Sequence, residues 1–245
     1  MAIFSIAGCE YQIACIVFDK DGTLVDLHLL WGSMMERWVR LAGERLGVDV
    51  SAEISQTVGY DPRKKKVIPD SILAVSTLPQ LAIATAVVFH QHGIDWHHAQ
   101  HVVEQIIIDP LHGLPTREML RPLYQPATLQ KLHDVGIKLA MLTSDDRAPT
   151  EAALHLLGID QLFCAVGCAD DPIPPKPDAA GIVRIAALCG VNSAEMLMVG
   201  DSRGDMVTGR NAGVAACIGI GSAERLAPIA DHIFVNIDAL LTHLP

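Results

Sequence analysis

The sequence contains neither a long apolar run nor a long basic run. No stretch approaches the ~18 unbroken apolar residues that a membrane-spanning helix needs. The 28 acidic residues outnumber the 18 basic ones, and the formal net charge is -10. This balance argues against nucleic acid or an anionic membrane as the main partner, since both attract basic surfaces. We therefore expect no membrane and no nucleic acid partner, and a small ligand or a metal ion instead. No oligomeric state follows from the sequence.

The first ten residues, MAIFSIAGCE, superficially resemble a lipoprotein cleavage site, but no Lys or Arg precedes Lys20 and the apolar segment is too short for a signal peptide.

Paired cysteine motifs are also missing. The cysteines lie mostly in apolar stretches, where a reduced thiol packs as a small hydrophobe. We therefore expect reduced cysteines and a cytoplasmic protein. The six cysteines are Cys9, Cys15, Cys164, Cys168, Cys189 and Cys217.

What the sequence does contain is a large apolar fraction, arranged in short segments. Hydrophobic residues make up 50% of the 245, which is enough for a sizeable core. Short apolar segments rich in β-branched residues alternate with helical patterns that close on Gly. Strands of this kind, apolar on both faces, are typical of a parallel sheet covered by helices. The predicted strands lie within Ile13–Phe18, Ile137–Leu142, Leu162–Gly167, Met196–Gly200, Val214–Ile220 and His232–Val235.

The interval 27–123 breaks this rhythm, because it reads as almost wholly helical and contains no convincing strand. Its first segment, WGSMMERWVRLAGERLG, has the apolar spacing of an amphipathic helix. Its last segment is rich in proline, as expected where a chain passes between two units. We predict an α/β fold with a Rossmann-like parallel-sheet core of residues 1–26 and 124–245. Residues 27–123 are predicted to form an inserted α-helical cap domain.

Carboxylate, hydroxyl and amine side chains follow four of the predicted strands, at the edge where open α/β sheets bind ligands. Several carboxylates in one crevice repel each other unless a divalent cation neutralises them, and oxygen ligands together with a phosphate favour Mg²⁺. Asp19 and Asp21 occupy alternate positions of an extended segment and are expected to face one site. One carboxylate can then attack while the other moves a proton. The candidate residues are Asp19, Asp21, Gly22, Thr23, Thr143, Ser144, Lys176, Asp201 and Asp205.

Each of these signals has an ordinary structural alternative. Asp-Gly after a strand is most often a turn, although DKDGT does not fit an EF-hand loop. Thr143 alone is more often a strand-end hydroxyl or a helix cap, and Lys176 alone is usually a solvated charge. The GDSRGD segment alone is explained by helix capping. Lys20 is expected to point away from the two acids, as a packing or solvated residue. The joint occurrence of the other signals, each after a predicted strand, favours a functional site.

The segments DKDGTLVD, LTS, KPD and VGDSRGDM resemble the four motifs of the haloacid dehalogenase (HAD) superfamily of phosphohydrolases. The helical insert resembles the cap of its phosphoglycolate phosphatase-like branch. The resemblance implies that Asp19 is the nucleophile that becomes an aspartyl-phosphate. It also implies that Asp21 is the general acid/base, which protonates the leaving oxygen and then activates water.

The same resemblance assigns the remaining motif residues. Thr143 is implied to hold a phosphoryl oxygen and Lys176 to offset the charge of Asp19 and the phosphate. Asp201 is implied to bind Mg²⁺ together with the Asp19 carboxylate and the backbone carbonyl of Asp21. Asp205 is implied to support the metal, either as a ligand or through another ligand. Gly22 allows a sharp turn that leaves amide groups near the phosphate, and Thr23 and Ser144 are further candidates for substrate binding.

These observations predict a Mg²⁺-dependent phosphatase that acts on a small phosphorylated metabolite, with phosphoglycolate as the lead candidate. Phosphoryl transfer concentrates charge on the equatorial oxygens, which Mg²⁺ and Lys176 would stabilise. Two alternatives remain open. A phosphosugar mutase would use the same aspartyl-phosphate and return the phosphoryl group to a sugar. A non-catalytic binding module would keep the fold for partner recognition alone.

The densest basic cluster in the predicted cap is Arg63–Lys66, which includes Lys64, although a solvated loop is the ordinary interpretation of such a run. If this run binds the far carboxylate of phosphoglycolate, changing Lys64, Lys65 and Lys66 together to Gln should raise KM for carboxylated substrates much more than for an uncharged aryl phosphate. The value of kcat should change less, since the lost attraction is largely uniform binding. Equal losses with both substrates, or no loss, would identify the run as a solvated surface.

Overall fold

The structure is a computed structural model and describes residues 2–107 and 113–244. The chain divides into two compact units. The first comprises Met1–Asp26, Pro122–Arg147 and Gly158–Pro245, and the second comprises Leu27–Arg121 and Ala148–Leu157. The domain boundaries given above from the sequence stay a prediction.

Ten strands occur in the described residues. Six of them, all in the first unit, form one parallel sheet with the order β10-β9-β8-β3-β6-β7, in the chain-order labels given below. This sheet confirms the predicted α/β fold class. The strands are β1 (Ala2–Ile6), β2 (Cys9–Ile13), β3 (Cys15–Phe18), β4 (Tyr60–Asp61), β5 (Lys66–Val67), β6 (Lys138–Leu142), β7 (Phe163–Gly167), β8 (Met196–Gly200), β9 (Ala216–Ile220) and β10 (His232–Phe234).

The α-helices of the described residues follow the same chain order. They are α1 (Leu27–Leu46), α2 (Ser51–Val58), α3 (Ile72–Val75), α4 (Leu78–Gln91), α5 (Trp96–Ile107), α6 (Thr128–Asp134), α7 (Arg147–Leu157), α8 (Ala180–Cys189), α9 (Arg203–Ala212) and α10 (Ala223–Leu226). Short 3-10 helices lie at Arg117–Met119, Asp160–Leu162, Ser193–Glu195 and Ile237–His243. Within the described ranges, none of the helices is both long enough and apolar enough to cross a membrane.

The central strands of the sheet are buried along their whole length. Every residue of β3, β8 and β9 is buried, as expected for strands covered on both faces. Side chains of α8 and α9, among them Ile182, Ile185 and Met206, pack with Met198 of β8 in one apolar cluster. This packing fixes the strands whose ends carry the candidate site.

A β-hairpin precedes the sheet and was not predicted from the sequence. Strands β1 and β2 pair antiparallel around Ala7 and Gly8, which both adopt positive φ angles (50° and 83°). Positive φ at both turn residues matches the right-handed twist of the two strands. Phe4, Ile6 and Ile13 are buried, so the hairpin contributes one apolar face to the first unit.

The second unit is mostly helical, in agreement with the pattern of the sequence. Helix α1 buries the side chains of Trp31, Met34, Met35 and Trp38, which recur with helical spacing. Helix α4 begins with a capping box, in which the side chain of Gln80 accepts a hydrogen bond from the backbone N–H of Thr77. The short strands β4 and β5 form a two-stranded antiparallel pair that was not predicted.

One cysteine prediction is wrong. Cys164 at the start of β7 and Cys189 at the end of α8 form a disulfide, with their Cα atoms 6.3 Å apart. The other four cysteines are not part of a disulfide: Cys9, Cys15, Cys168 and Cys217. The spacing of 25 residues gives no local signal, because the two cysteines meet only when α8 packs on the sheet.

Gly209 allows α9 to lie close to β8 and β9. A Cβ atom at Gly209 would lie 2.6 Å from the Sγ atom of Cys217 and 2.9 Å from the Cβ atom of Met198. These separations are shorter than van der Waals contact, so a larger residue requires the helix or the sheet to move.

We expect Gly209→Ala to destabilise the protein by about 1–3 kcal/mol, because it overpacks the contact between α9 and the sheet. For a chain of this size the midpoint of thermal unfolding should fall by about 2–4 °C per kcal/mol. Gly204→Ala in the same helix is the matched control, since its Cβ would meet nothing closer than the Ser202 Oγ atom at 3.5 Å. Alanine favours helix at such a position, so Gly204→Ala should not lower the midpoint. Equal midpoints for the two variants would contradict the packing argument.

Candidate active site

The candidate residues of the first unit follow adjacent strands. Strand β3 lies between β8 and β6, and Phe18 is in register with Val199 of β8 and Met141 of β6. The backbone N–H of Asp19 donates to the carbonyl of Val199 at 2.8 Å, which extends the pairing by one residue. The parallel strands therefore bring Asp19, Thr143 and Asp201 to the same edge of the sheet.

Three carboxylates meet at this edge. Oxygen atoms of Asp19, Asp201 and Asp205 all lie within 4.8 Å of one another. Asp19 and Asp205 are buried, and the side chain of Asp201 is 20% exposed. The cluster therefore faces solvent mainly through Asp201.

Lys176 joins two of these carboxylates. Its Nζ atom lies 2.7 Å from Oδ1 of Asp19 and 2.7 Å from Oδ1 of Asp205, and its own side chain is 8% exposed. Burial alone would favour the neutral amine, but the two carboxylates outweigh it and raise the pKa of Lys176 above its usual range. Lys176 is therefore charged and offsets part of the negative charge of the cluster.

The surroundings of Asp19 and Asp201 disfavour their charged forms despite the contact with Lys176. Burial raises the pKa of Asp19 to about 7, and the charges of Asp205 and Asp21 act in the same direction against the opposing effect of Lys176. The pKa of Asp201 is raised well above its usual value, first by burial and then by Asp19 and Asp205. Three carboxylates outnumber the two cations beside them, Lys176 and Arg225, and such an excess of negative charge is relieved by a bound divalent cation.

The local backbone also suits an oxygen-liganded cation. Gly22 has a φ of 92°, and a Cβ atom there would lie 2.4 Å from Oδ2 of Asp201. A side chain at this position would fill the space in front of the Asp201 carboxylate. Because glycine leaves that space open, Asp19, Asp201 and Asp205 fit a hard cation such as Mg²⁺.

Asp205 has a second role at the start of α9. Its Oδ2 atom accepts hydrogen bonds from the Ser202 hydroxyl at 2.6 Å and from the Ser202 backbone N–H at 3.0 Å. Ser202 Oγ in turn accepts from the backbone N–H of Asp205 at 3.2 Å, which completes a capping box. The capping alternative for GDSRGD is therefore correct, and the same carboxylate also contacts Lys176 through Oδ1.

The prediction for Lys20 is wrong. Its side chain is 1% exposed, and its Nζ atom lies 2.8 Å from the carboxylate oxygens of Asp21 and 3.1 Å from Oδ2 of Asp145. The strand alternation used in the prediction ends at this point, because the backbone N–H groups of Leu24 and Val25 both donate to the Lys20 carbonyl and close a turn. The long lysine side chain then returns to the acid that follows it.

Thr143 and Ser144 lie directly after β6. Thr143 is buried, and its Oγ1 atom accepts a hydrogen bond from the backbone N–H of Asp145 at 3.1 Å. The hydroxyl proton of Thr143 is then available to a further acceptor. Ser144 is partly exposed.

Two other candidates stand apart from these contacts. The Thr23 hydroxyl is buried and has no hydrogen-bond partner in the part of the chain that the structure describes. Lys64 belongs to the second unit, in the turn between β4 and β5, where its exposed Nζ atom lies 3.8 Å from Oδ2 of Asp61. The binding roles of Thr23 and Lys64 stay predictions.

Two residues that contact the site were not predicted from the sequence. Asp145 is buried beside Lys20, and burial raises its pKa to about 6 against the opposing charge of Lys20. The acidic pair that follows Ser144 was an available signal for Asp145. Arg225 donates from Nη2 to the carbonyl of Asp201 at 2.5 Å, and Nη2 lies 3.9 Å from Oδ2 of Asp201. Nothing in the sequence near Arg225 indicates this contact, which depends on where the segment after β9 folds back.

Known proteins share sequence similarity with this chain. The chain is 25% identical over 215 residues to pyrophosphatase PpaX of Halalkalibacterium halodurans, which covers 87% of this chain and 86% of that protein. It is 33% identical over 94 residues to phosphoglycolate phosphatase of Yersinia pestis, which covers 38% of this chain and 40% of that protein.

Solved structures share the fold. A predicted phosphoglycolate phosphatase from Haemophilus somnus 129PT superposes with a TM-score of 0.67 at 20% identity, over 94% of this chain and 97% of the other. A β-phosphoglucomutase from Clostridium difficile superposes with a TM-score of 0.63 at 17% identity, over 93% of each chain. The family model of the haloacid dehalogenase-like hydrolases matches residues 13–213. The chain therefore belongs to the haloacid dehalogenase-like hydrolase family and is an enzyme of the phosphatase type.

Proposed function

We propose that this protein is a Mg²⁺-dependent phosphatase that hydrolyses a small phosphorylated metabolite through an aspartyl-phosphate on Asp19. The observation that carries the proposal is the buried contact of Lys176 with both Asp19 and Asp205, beside Asp201. A lysine that holds one oxygen of a buried carboxylate fixes its direction, which is what a nucleophile in phosphoryl transfer requires.

Asp19 is the proposed nucleophile. Lys176 contacts its Oδ1 atom, and the other carboxylate oxygen is proposed to form the bond to phosphorus while the bond from phosphorus to the leaving oxygen breaks. Asp21 is proposed to give its proton to the leaving oxygen. In the second step Asp21 takes a proton from the attacking water, and Asp19 is released as a free carboxylate with inorganic phosphate as the product.

Mg²⁺ would be held by the carboxylates of Asp19 and Asp201 and the backbone carbonyl of Asp21, with Asp205 in support. When bound, it would polarise the phosphoryl oxygens and neutralise the charge that develops on them. The pKa values of Asp19 and Asp201, both raised by burial and by neighbouring carboxylates, support a cation at this position.

The phosphoryl group is proposed to bind between the ends of β3 and β6. The Thr143 hydroxyl accepts from the Asp145 backbone N–H and can donate its own proton to a phosphoryl oxygen. Ser144 and the amide groups that follow Gly22 are further proposed donors, which include the amide of Thr23.

The substrate is the finer part of the proposal. 2-Phosphoglycolate is the lead candidate, supported by the similarity to phosphoglycolate phosphatase, and the similarity to a pyrophosphatase adds pyrophosphate. Both compounds carry an anionic group beyond the transferred phosphoryl group. A phosphosugar mutase remains the alternative, because a β-phosphoglucomutase shares the fold. A non-catalytic binding module is disfavoured by the complete set of acids at the site.

The cytoplasmic location predicted from the sequence stays a prediction. The Cys164–Cys189 disulfide counts against it, since disulfides are rare in cytosolic proteins. A small phosphoester is the proposed partner in either compartment.

The proposed chemistry predicts that Asp19→Asn abolishes turnover while the fold is kept, because the amide is nearly isosteric and a far poorer nucleophile. Phosphate release should be measured with a panel of 2-phosphoglycolate, pyrophosphate, sugar phosphates and aryl phosphates, with circular dichroism as the test of folding. Conversion of glucose 1-phosphate to an isomer without phosphate release would favour the mutase. Near-normal phosphate release by Asp19→Asn would refute the proposed nucleophile.

Metal binding predicts a pH-dependent gain in thermal stability. In the metal-free protein the raised pKa values of Asp19 and Asp201 mean that the folded state holds more protons than the unfolded state, so stability falls as pH rises from the unfolded pKa to the folded one. Mg²⁺ should relieve this loss. Millimolar Mg²⁺ should therefore raise the unfolding midpoint more at about pH 8 than at about pH 5.5, where protons compete for the carboxylates.

Two variants define the control for this measurement. Asp201→Ala removes a proposed ligand and should lose most of the Mg²⁺-dependent gain. Asp134→Asn removes an exposed carboxylate of α6, which accepts a hydrogen bond from Gln130, and should keep the gain in full. A gain that is the same at both pH values, or the same in Asp201→Ala as in the unchanged protein, would rule out this metal site.

A further inference from the structure

Lys20 is a fully buried lysine with two acidic partners. Its ammonium lies 2.8 Å from both carboxylate oxygens of Asp21 and 3.1 Å from Oδ2 of Asp145. Lysine is almost never fully buried unless it is paired, because its charge loses the hydration that water provides. The two carboxylates therefore account for its burial, and Lys20 in turn holds both of them.

The contact fixes the direction of the Asp21 carboxylate. An ammonium that is equally close to both oxygens restricts rotation of the carboxylate about its last torsion. The side chain of Asp21 is 12% exposed, so it is held at the edge of the buried region and still reaches solvent. A proton donor in this position keeps one orientation without being shielded from a substrate.

Asp145 anchors the other side of the ammonium. Its Oδ1 atom accepts from the backbone N–H of Asp146 at 2.9 Å, and its own backbone N–H donates to Oγ1 of Thr143 at 3.1 Å. Its carbonyl accepts from the backbone N–H of Ala169 at 2.9 Å. Asp145 is thus held by three hydrogen bonds and offers Oδ2 to Lys20 from a fixed position.

These contacts form a continuous chain from Thr143 through Asp145 and Lys20 to Asp21. The first residue of the chain is the proposed ligand of a phosphoryl oxygen, and the last is the proposed proton donor to the leaving oxygen. The chain crosses from the loop after β6 to the loop after β3, two neighbouring strands of the sheet. A shift of either loop changes the distance between the phosphoryl ligand and the proton donor.

We propose that Lys20, anchored by Asp145, is a positioning residue that holds the Asp21 carboxylate in the orientation needed to protonate the leaving oxygen. This inference rests on the proposed phosphatase function. Lys20 does not touch the phosphoryl group in this scheme, and Asp21 alone transfers the proton. A variant that loses Lys20 keeps the nucleophile and loses efficient protonation.

The dependence of the rate on the leaving group separates positioning from a general structural role. An alkyl phosphate releases a poor leaving group that requires protonation, whereas p-nitrophenyl phosphate releases a good one that does not. Because kcat/KM reports the steps up to cleavage of the substrate, it is the quantity to compare. General acid catalysis contributes about 10²–10⁴-fold, so Lys20→Gln should lower kcat/KM by about 10²-fold for the alkyl ester and by less than about 10-fold for the aryl ester.

Three further variants complete the experiment. Asp21→Asn should show the same selective loss, since it removes the proton donor itself. Lys20→Arg keeps a cation between the two carboxylates and should restore part of the lost rate with the alkyl ester. Lys138→Gln is the control, because Lys138 is an exposed lysine at the start of β6 whose Nζ atom binds the Cys189 carbonyl, and it should leave the ratio of the two kcat/KM values unchanged.

Lys20→Gln leaves Asp21 and Asp145 facing each other and can fail to fold for that reason. The double variant Lys20→Gln/Asp145→Asn removes this repulsion and should fold with the same selective loss. Equal losses for the two esters, or an unchanged ratio in the folded double variant, would overturn the positioning role. The proposed function fails separately, if Asp19→Asn keeps its activity, so the two failures are distinguishable.

Discussion

The contact between Lys176 and the carboxylates of Asp19 and Asp205 is the interaction on which the site depends. The two carboxylates are 157 and 29 residues away from the lysine in sequence, so neither is stabilised until the segments after β3 and β7 and the start of α9 have come together. The energetic cost of burying these charges is offset only in the assembled sheet. The site is therefore complete only when the parallel sheet is complete.

The structure also explains how two acids are tolerated on either side of one residue. Asp19 and Asp21 do not share a counter-ion, because Lys176 contacts the first and Lys20 contacts the second. Each carboxylate is contacted by its own ammonium from a different direction, which reduces the repulsion between the two acids. The two lysines therefore serve separate parts of the site: Lys176 contacts Asp19, the proposed nucleophile, and Lys20 contacts Asp21, the proposed proton donor.

The alternation of short apolar segments with helical patterns predicted the sheet well, because strands buried on both faces consist of short apolar runs. The predicted segment Met196–Gly200 has the bounds of β8, and the carboxylates after β3 and β8 were expected at one edge. Lys20 could not be placed in this way, because side-chain alternation ends where the backbone turns. The Cys164–Cys189 pair was missed for a related reason, since its geometry depends on how α8 packs and not on any local pattern.

The disulfide gives the segment that carries Lys176 an unusual topology. Cys164 and Cys189 enclose this segment, so the stretch between β7 and the end of α8 is a covalent ring attached to the sheet. Closing a chain into a ring reduces the conformations available to it when it opens. If the packing of α8 loosens locally, Lys176 remains tethered within the span of that ring. Lys176 lies in an irregular loop, but the ring leaves it fewer conformations to pass through before it contacts Asp19 again.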